Sequence, residues 1–310
     1  MQKVASVLTK VAFFCYIDST EQKRRNFSMF KKFIAMLLSA LSTVLMFLGI
    51  AHYPMGQKVD LDKFTLTFEE EFEGELDRSV WSGHYTWGTG SEARKGSYWN
   101  QYMAYTEDGN LVIPLKYLAD GMGGKGAGWY SAGIDTDSDS PNGFSQKYGY
   151  FECRCILPAS ADLWTAFWLM NDGVYNEDGN GRDGTEIDIF ESDCYGDRIN
   201  NAVTSNLHFD NYGEMHQKMG AKKFLIKGNP YEEYNTYGLE WNENEYIFYI
   251  NGVESFRTDF GGVSQNEEYL ILSLEVRGEN GVPQNEMNIE EEYHFIVDYV
   301  RVYQYNDLLK

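Results

Sequence analysis

Proline and histidine are scarce in this chain, six and five copies among 310 residues, and cysteine is scarcer still at four. Six prolines against thirty glycines suit short turns between many strands. The cysteines offer no disulfide framework. Cys15 falls in the N-terminal stretch and leaves an odd three, Cys153, Cys155 and Cys194. Cys153 and Cys155 sit two apart on a predicted strand and read as small buried hydrophobes. A bridge from either of them to Cys194 is the alternative. No histidine or cysteine spacing matches a zinc site. Positive charge is also short: 26 Lys and Arg face 47 Asp and Glu, a net charge of −21. The first 51 residues hold seven basic and two acidic residues, so the rest carries 19 against 45, or −26. A surface that acidic repels nucleic acid and anionic lipid. It argues against a highly sulfated polysaccharide and is compatible with a neutral glycan.

Long apolar runs are absent except for one. Residues 33–51 are apolar apart from Ser39, Ser42 and Thr43, and Lys23, Arg24, Arg25, Lys31 and Lys32 precede them. A basic region followed by an apolar one reads as a leader covering residues 1–51. Gly49-Ile50-Ala51 gives the small-x-small pattern of a cleavage site, with an uncleaved anchor as the alternative. Met29-Phe30-Lys31-Lys32 also reads as a signal onset, so Met29 is an alternative start. Either form is expected outside the cytoplasm, secreted or anchored, touching membrane only through this segment. Residues 52–64 are expected to be a linker and residues 65–305 one monomeric domain. A chain that is 43% apolar and 16% aromatic can bury a large core.

After residue 51 little reads as helix. Leu111-Val112-Ile113, Tyr148–Leu157, Ala166–Met170, Tyr246–Ile250, Tyr269–Val276 and Phe295–Tyr303 are short and rich in β-branched or aromatic residues. Asp108-Gly109-Asn110, Asn142-Gly143 and Asn251-Gly252 punctuate them, and such pairs are strong hairpin signals. The spacing predicts an all-β sandwich of antiparallel strands without repeats or a second domain. Ala119–Gly128, with five glycines, and Asp172–Gly184 read as loops that carry specificity.

The most informative stretch is Glu186-Ile187-Asp188-Ile189-Phe190-Glu191. Alternation on a strand puts Glu186 and Asp188 on one face and Ile187 and Ile189 on the other. Glu191 would fall on the wrong face unless a β-bulge after Asp188 returns it to the other two. Stability gives no reason to gather three carboxylates. Glycoside hydrolysis does, since a retaining enzyme needs two of them roughly 5–5.5 Å apart across the scissile bond. Taken alone, the run is also compatible with an exposed acidic strand. With Asn176 to Gly184 before it, part of a calcium loop is a third reading.

Six further motifs accompany it. They are Phe68-Glu69-Glu70-Glu71-Phe72-Glu73-Gly74, Tyr148-Gly149-Tyr150-Phe151-Glu152-Cys153-Arg154, Leu163-Trp164-Thr165-Ala166-Phe167-Trp168-Leu169, Tyr237-Gly238-Leu239-Glu240-Trp241, Phe248-Tyr249-Ile250-Asn251-Gly252 and Val297-Asp298-Tyr299-Val300-Arg301-Val302-Tyr303. In this order, from about Leu66 to Tyr303, the chain resembles glycoside hydrolase family sixteen, the laminarinase, lichenase and agarase family. Thr165 replaces the family's usual proline and Phe190 its usual methionine. Phe190 is expected to face away from the site.

The resemblance implies a concanavalin-like β-jelly-roll sandwich of two curved antiparallel sheets. It implies Glu186 as nucleophile, Glu191 as acid/base and Asp188 as the carboxyl that holds Glu186. Charge on Glu186 is then expected to keep Glu191 protonated. Trp164 and Trp168 are expected to stack on sugar rings, with core packing as the alternative. Asn100 and Trp99, beside Gln101, are expected to be donor-side contacts, with an ordinary surface loop as the alternative, and His208 to line the cleft, with a satisfied core histidine as the alternative. Tyr195 and Arg182, beside the carboxylates, read either as rim contacts or as merely solvated residues. Catalysis needs no cofactor. A structural calcium on the convex side is implied at Glu71, Gly109 and Asp298, against an ordinary salt bridge at Asp298. The expected activity is endo-hydrolysis of a β-1,3- or mixed-linkage β-1,3/1,4-glucan. The alternatives are a β-galactan enzyme, a noncatalytic glycan-binding protein and a transglycosylase.

Overall fold

Seventeen strands and three short 3₁₀ turns make up the described part of the chain. A computed structural model describes residues 52–83, 97–137, 140–160, 162–192, 201–225, 228–276 and 287–310. The leader, Cys15, Cys194 and Tyr195 lie outside these residues.

The larger sheet has ten strands. Its main path runs Val253–Thr258, Tyr246–Ile250, Asn235–Trp241, Gly149–Ile156, Tyr293–Tyr305, Asn110–Leu118, Gly128–Ser131, Ser97–Trp99. The smaller sheet has seven, with the path Gln217–Phe224, Ala202–Phe209, Glu186–Ser192, Leu163–Met170, Glu268–Val276, Gly133–Asp135. Pairing is antiparallel throughout except between Ser97–Trp99 and Gly128–Ser131. Each of the six runs singled out in the sequence falls in a strand. Asp108-Gly109 and Asn251-Gly252 have φ of 51° and 70°, and 51° and 71°. Two positive φ values in succession are what a two-residue type I′ hairpin needs. Asn142-Gly143 instead lies in a loop, bonded through Asn142 N to the Ser79 carbonyl at 2.8 Å.

One core fills the space between the sheets. Phe151, Tyr237, Leu239, Trp241 and Phe248 enter it from the larger sheet. Leu163, Phe167, Leu169, Ile187, Leu207 and Leu272 enter from the smaller. Alternation along each strand sends the intervening side chains to the opposite face. Cys153 and Cys155 are free thiols buried in this core, as small hydrophobes.

Residues 52–64 do not behave as a linker. His52 bridges Lys223, Gly56 N bonds to the Glu254 carbonyl at 3.0 Å, and Val59 N bonds to the Gly252 carbonyl at 3.0 Å. Edge strands leave donors and acceptors open, and this segment satisfies them. Composition alone does not reveal that pairing.

Candidate active site

The catalytic strand Glu186–Ser192 pairs with Leu163–Met170 on one side and Ala202–Phe209 on the other. Glu186 faces His208 and Asp188 faces Asn206; then the register slips, and Glu191 faces Thr204. On the other side Asp188 faces Trp168 and Glu191 faces Ala166. This is the expected bulge, and it turns all three carboxylates to the face away from the main core. Ile187, Ile189 and Phe190 face that core, where Phe190 packs on Tyr237 at 4.5 Å between ring centroids.

A bulge leaves backbone groups without ladder partners. Ile189 has no partner in either register. Its carbonyl accepts instead from Ser205 Oγ at 2.6 Å and from Lys223 Nζ at 3.2 Å. Lys223 is fully buried, and its ammonium also lies 5.1 Å from the Phe248 ring centroid. Burial lowers its pKa to about 7.

Each carboxylate has its own donors. Tyr212 Oη donates to Glu186 Oε2. Trp164 Nε1 donates to Glu191 Oε1 and Asn206 Nδ2 to Glu191 Oε2. Asn206 also bonds to Asp188. His208 Nε2 lies 3.5 Å from Asp188 Oδ2, while its Nδ1 lies 2.9 Å from His216 Nε2. Gly220 leaves the space that Asn206 occupies, since a Cβ there would sit 2.4 Å from Asn206 Oδ1.

Burial raises the Glu186 carboxyl to about 8, and Asp188 and Glu191 push the same way. His208 and the Tyr212 hydroxyl oppose that rise. Asp188 is raised to about 7, again by burial, with Asn206 opposing. In the free cleft, then, burial works against the ionised Glu186 expected from the sequence, and Tyr212 and His208 counter it. Among the described residues, one cluster brings three side chains of metal-ligating type within 4.8 Å: Glu186, Asp188 and His208. It is the carboxylate site itself and not a separate centre.

The other expected residues fall less uniformly. Trp164 is half-buried with its indole N–H on Glu191. Trp168 is only 7% exposed; it lies in a second apolar cluster with Trp99, Met170 and Tyr269, and its Nε1 donates to Ser273 Oγ at 3.1 Å. Trp99 is equally buried, with Nε1 on the Leu274 carbonyl at 3.0 Å. Both rings are thus covered, which leaves little face for a sugar. Asn100 Oδ1 accepts from Tyr102 N at 3.0 Å and caps a 3₁₀ turn. Arg182 is exposed and lies against Gly262.

The calcium set does not fit its ion. Glu71 accepts two hydrogen bonds from Arg301, at 2.7 and 3.0 Å. Asp298 is ion-paired with Arg154. The charge that calcium would neutralise is already matched by guanidinium groups, which donate and cannot ligate. Tyr212, Asn206 and His216 are the site residues missed in the sequence. Asn206 shows only once strand register is known. Tyr212 was signalled faintly, by the Asp210-Asn211 pair that tolerates left-handed backbone.

A two-sheet sandwich with a bulged Glu-x-Asp-x-x-Glu strand defines a class, the jelly-roll glycoside hydrolases. The family model described as beta-porphyranase A-D, GH16 domain, matches residues 65–305, and the chain belongs to glycoside hydrolase family sixteen. It is 25% identical over 267 residues to the endo-1,3-1,4-beta-glycanase EglC of Rhizobium meliloti, covering 79% of this chain and 53% of that one. It is 30% identical over 159 residues to beta-porphyranase B of Zobellia galactanivorans, covering 47% and 52%. The chain therefore spans about half the length of these curated relatives. Among solved structures, it resembles the laminarinase catalytic domain of Thermotoga maritima, with a TM-score of 0.62 and 24% identity over 78% of this chain and 98% of that one. That likeness concerns the fold.

Proposed function

We propose that this chain is a retaining endo-β-glycanase acting on a β-1,3- or mixed-linkage β-1,3/1,4-glucan. The bulge carries the reading, because it is what sets Glu191 on the same face as Glu186 and Asp188. Glu186 attacks the anomeric carbon while the C–O bond to the leaving sugar breaks, and Glu191 gives its proton to that oxygen. A glycosyl ester of Glu186 results. Water then attacks the same carbon, Glu191 takes its proton, and the Glu186 carboxylate leaves. Two inversions give net retention. Asp188 and Asn206 hold the two acids in register between these steps.

The glucan assignment is supported by the printed activity of the Rhizobium relative. The description of the matched family model makes porphyran the second polymer to test. We also propose export, on the basic and then apolar leader, because polymeric glycans lie outside cells. Reducing-sugar release from laminarin, mixed-linkage glucan, agarose, porphyran and keratan tests the substrate. Proton NMR of the first product tests retention. Cleavage of none of the glucans would overturn the glucan reading, and an inverted product would overturn the mechanism. Products longer than the donor would mark transglycosylation.

A further inference from the structure

The segment after the Ala202–Phe209 strand is strained and heavily tied. Asp210 and Asn211 have φ of 60° and 62°, left-handed values that are uncommon for non-glycine residues, two of them in succession. Such an elbow persists only when its surroundings hold it. Buried Asp210 accepts from Asp178 N at 3.0 Å and Gly179 N at 2.9 Å. Asn211 donates from its backbone to the Val174 carbonyl at 2.7 Å and from Nδ2 to Glu177 Oε1 at 2.9 Å. Its Oδ1 accepts from Tyr212 N at 2.8 Å. The Tyr212 ring then packs against Tyr175, at 6.0 Å, and His216, at 5.4 Å. All of this fixes one group, the Tyr212 hydroxyl, on Oε2 of Glu186.

We propose that Tyr212 is a positioning residue: its hydroxyl holds Oε2 of Glu186 and leaves Oε1 turned to the anomeric carbon. The proposal rests on Glu186 being the nucleophile. A donor to the charged form lowers a carboxyl pKa, whereas burial and neighbouring carboxylates raise it. The groups that bear on Glu186 come from several elements. Asp188 and Glu191 share its strand, His208 faces it from the next, and Glu268 is buried on the strand beyond Leu163–Met170. His216 and Lys218 stand at the start of the edge strand, and Tyr175 lies behind the Tyr212 ring. Among them Tyr212 is the neutral donor in direct contact. It is 44% exposed, so removal of its hydroxyl opens no core cavity.

The test is a titration of the free enzyme labelled with ¹³C at the glutamate δ carbons, with Glu186→Gln to assign the resonance. In Tyr212→Phe the Glu186 titration should move up by about one pH unit, a tenfold change in proton affinity. The acidic limb of kcat/KM on laminarin should move by the same amount, with activity recovering at higher pH. Asn211→Val keeps the tyrosine but cannot hold a left-handed elbow cheaply. It should shift the titration the same way, and it serves if Tyr212→Phe fails to fold. An unmoved titration in the folded variant, with the rate lowered equally at every pH, would overturn the proposal. Because the titration needs no substrate, failure of laminarin cleavage would sink the glucan reading alone.

Discussion

Replacing the nucleophile by its amide should make the protein more stable in alkali while abolishing catalysis. Glu186 is held where burial raises its pKa from 4.5 to about 8. A carboxyl whose folded pKa exceeds its unfolded one binds protons more tightly in the folded state. Its contribution to stability is full below about pH 4.5 and declines as pH rises through about 8. At about 1.4 kcal/mol per unit, that rise sets a ceiling of about 5 kcal/mol. Glu186 is only half-buried and the cleft admits water, so screening reduces the effect to about 1–2 kcal/mol. In Glu186→Gln nothing ionises there, and the Tyr212 hydroxyl still finds an acceptor. Urea melts at pH 5 and pH 9 measure the difference. The two proteins should unfold alike at pH 5, and the variant should be the more stable by about 1–2 kcal/mol at pH 9, or about 2–8 °C in Tm. A stability difference that is the same at both pH values would refute the idea that Glu186 is held against its ionisation.

Four other changes follow from named contacts. Asp188→Asn should slow hydrolysis less than Glu186→Gln, since it removes support and not a bond-making group; an unchanged kcat would reduce Asp188 to a structural part. Trp168→Ala should cost about 3–5 kcal/mol in urea unfolding because its ring is buried with Trp99 and Met170. Trp164→Phe, at a half-buried ring, should cost about 1 kcal/mol and lower kcat through loss of the N–H on Glu191; the reverse ranking in the melts would show that the two rings have been misread. Gly220→Ala should lower kcat with the fold kept, because its Cβ would displace Asn206 from the position it holds now. Full activity would show that Asn206 is not needed between Asp188 and Glu191.

What could be read from the sequence is what a strand encodes locally. Alternation and one half-step bulge place Glu186, Asp188 and Glu191, and the same alternation sends Ile187 and Phe190 to the core. The φ signs of Asp108-Gly109 and Asn251-Gly252 follow from turn chemistry. Long-range register is not encoded locally. Asn206 meets Glu191 only because the Ala202–Phe209 strand returns antiparallel at one particular offset. For the same reason the alternation of Trp164 and Trp168 announces a shared face but not that the Ser97–Trp99 strand brings Trp99 over Trp168. Nor does the sequence announce that Arg154 and Arg301, unremarkable as surface residues, pair with Asp298 and Glu71, the two acids of the expected calcium set.

Lys223 marks the sharpest limit. A lysine between Lys222 and Phe224 on an edge strand reads as a solvated charge, yet this one is buried with its ammonium on the Ile189 carbonyl. The reason lies in the bulge. Extending the catalytic strand by half a step brings Glu191 to its place and leaves one carbonyl unmatched inside a dry core. An unmatched carbonyl there costs about 1–3 kcal/mol. Ser205 and Lys223 supply the donors, and docking of His52 beside Lys223 closes the edge over them. The local irregularity that creates the acid/base pair thus calls for a buried lysine donor on the opposite face of the same sheet. The residue that looks least suited to the core is there because of the motif that made the site recognisable.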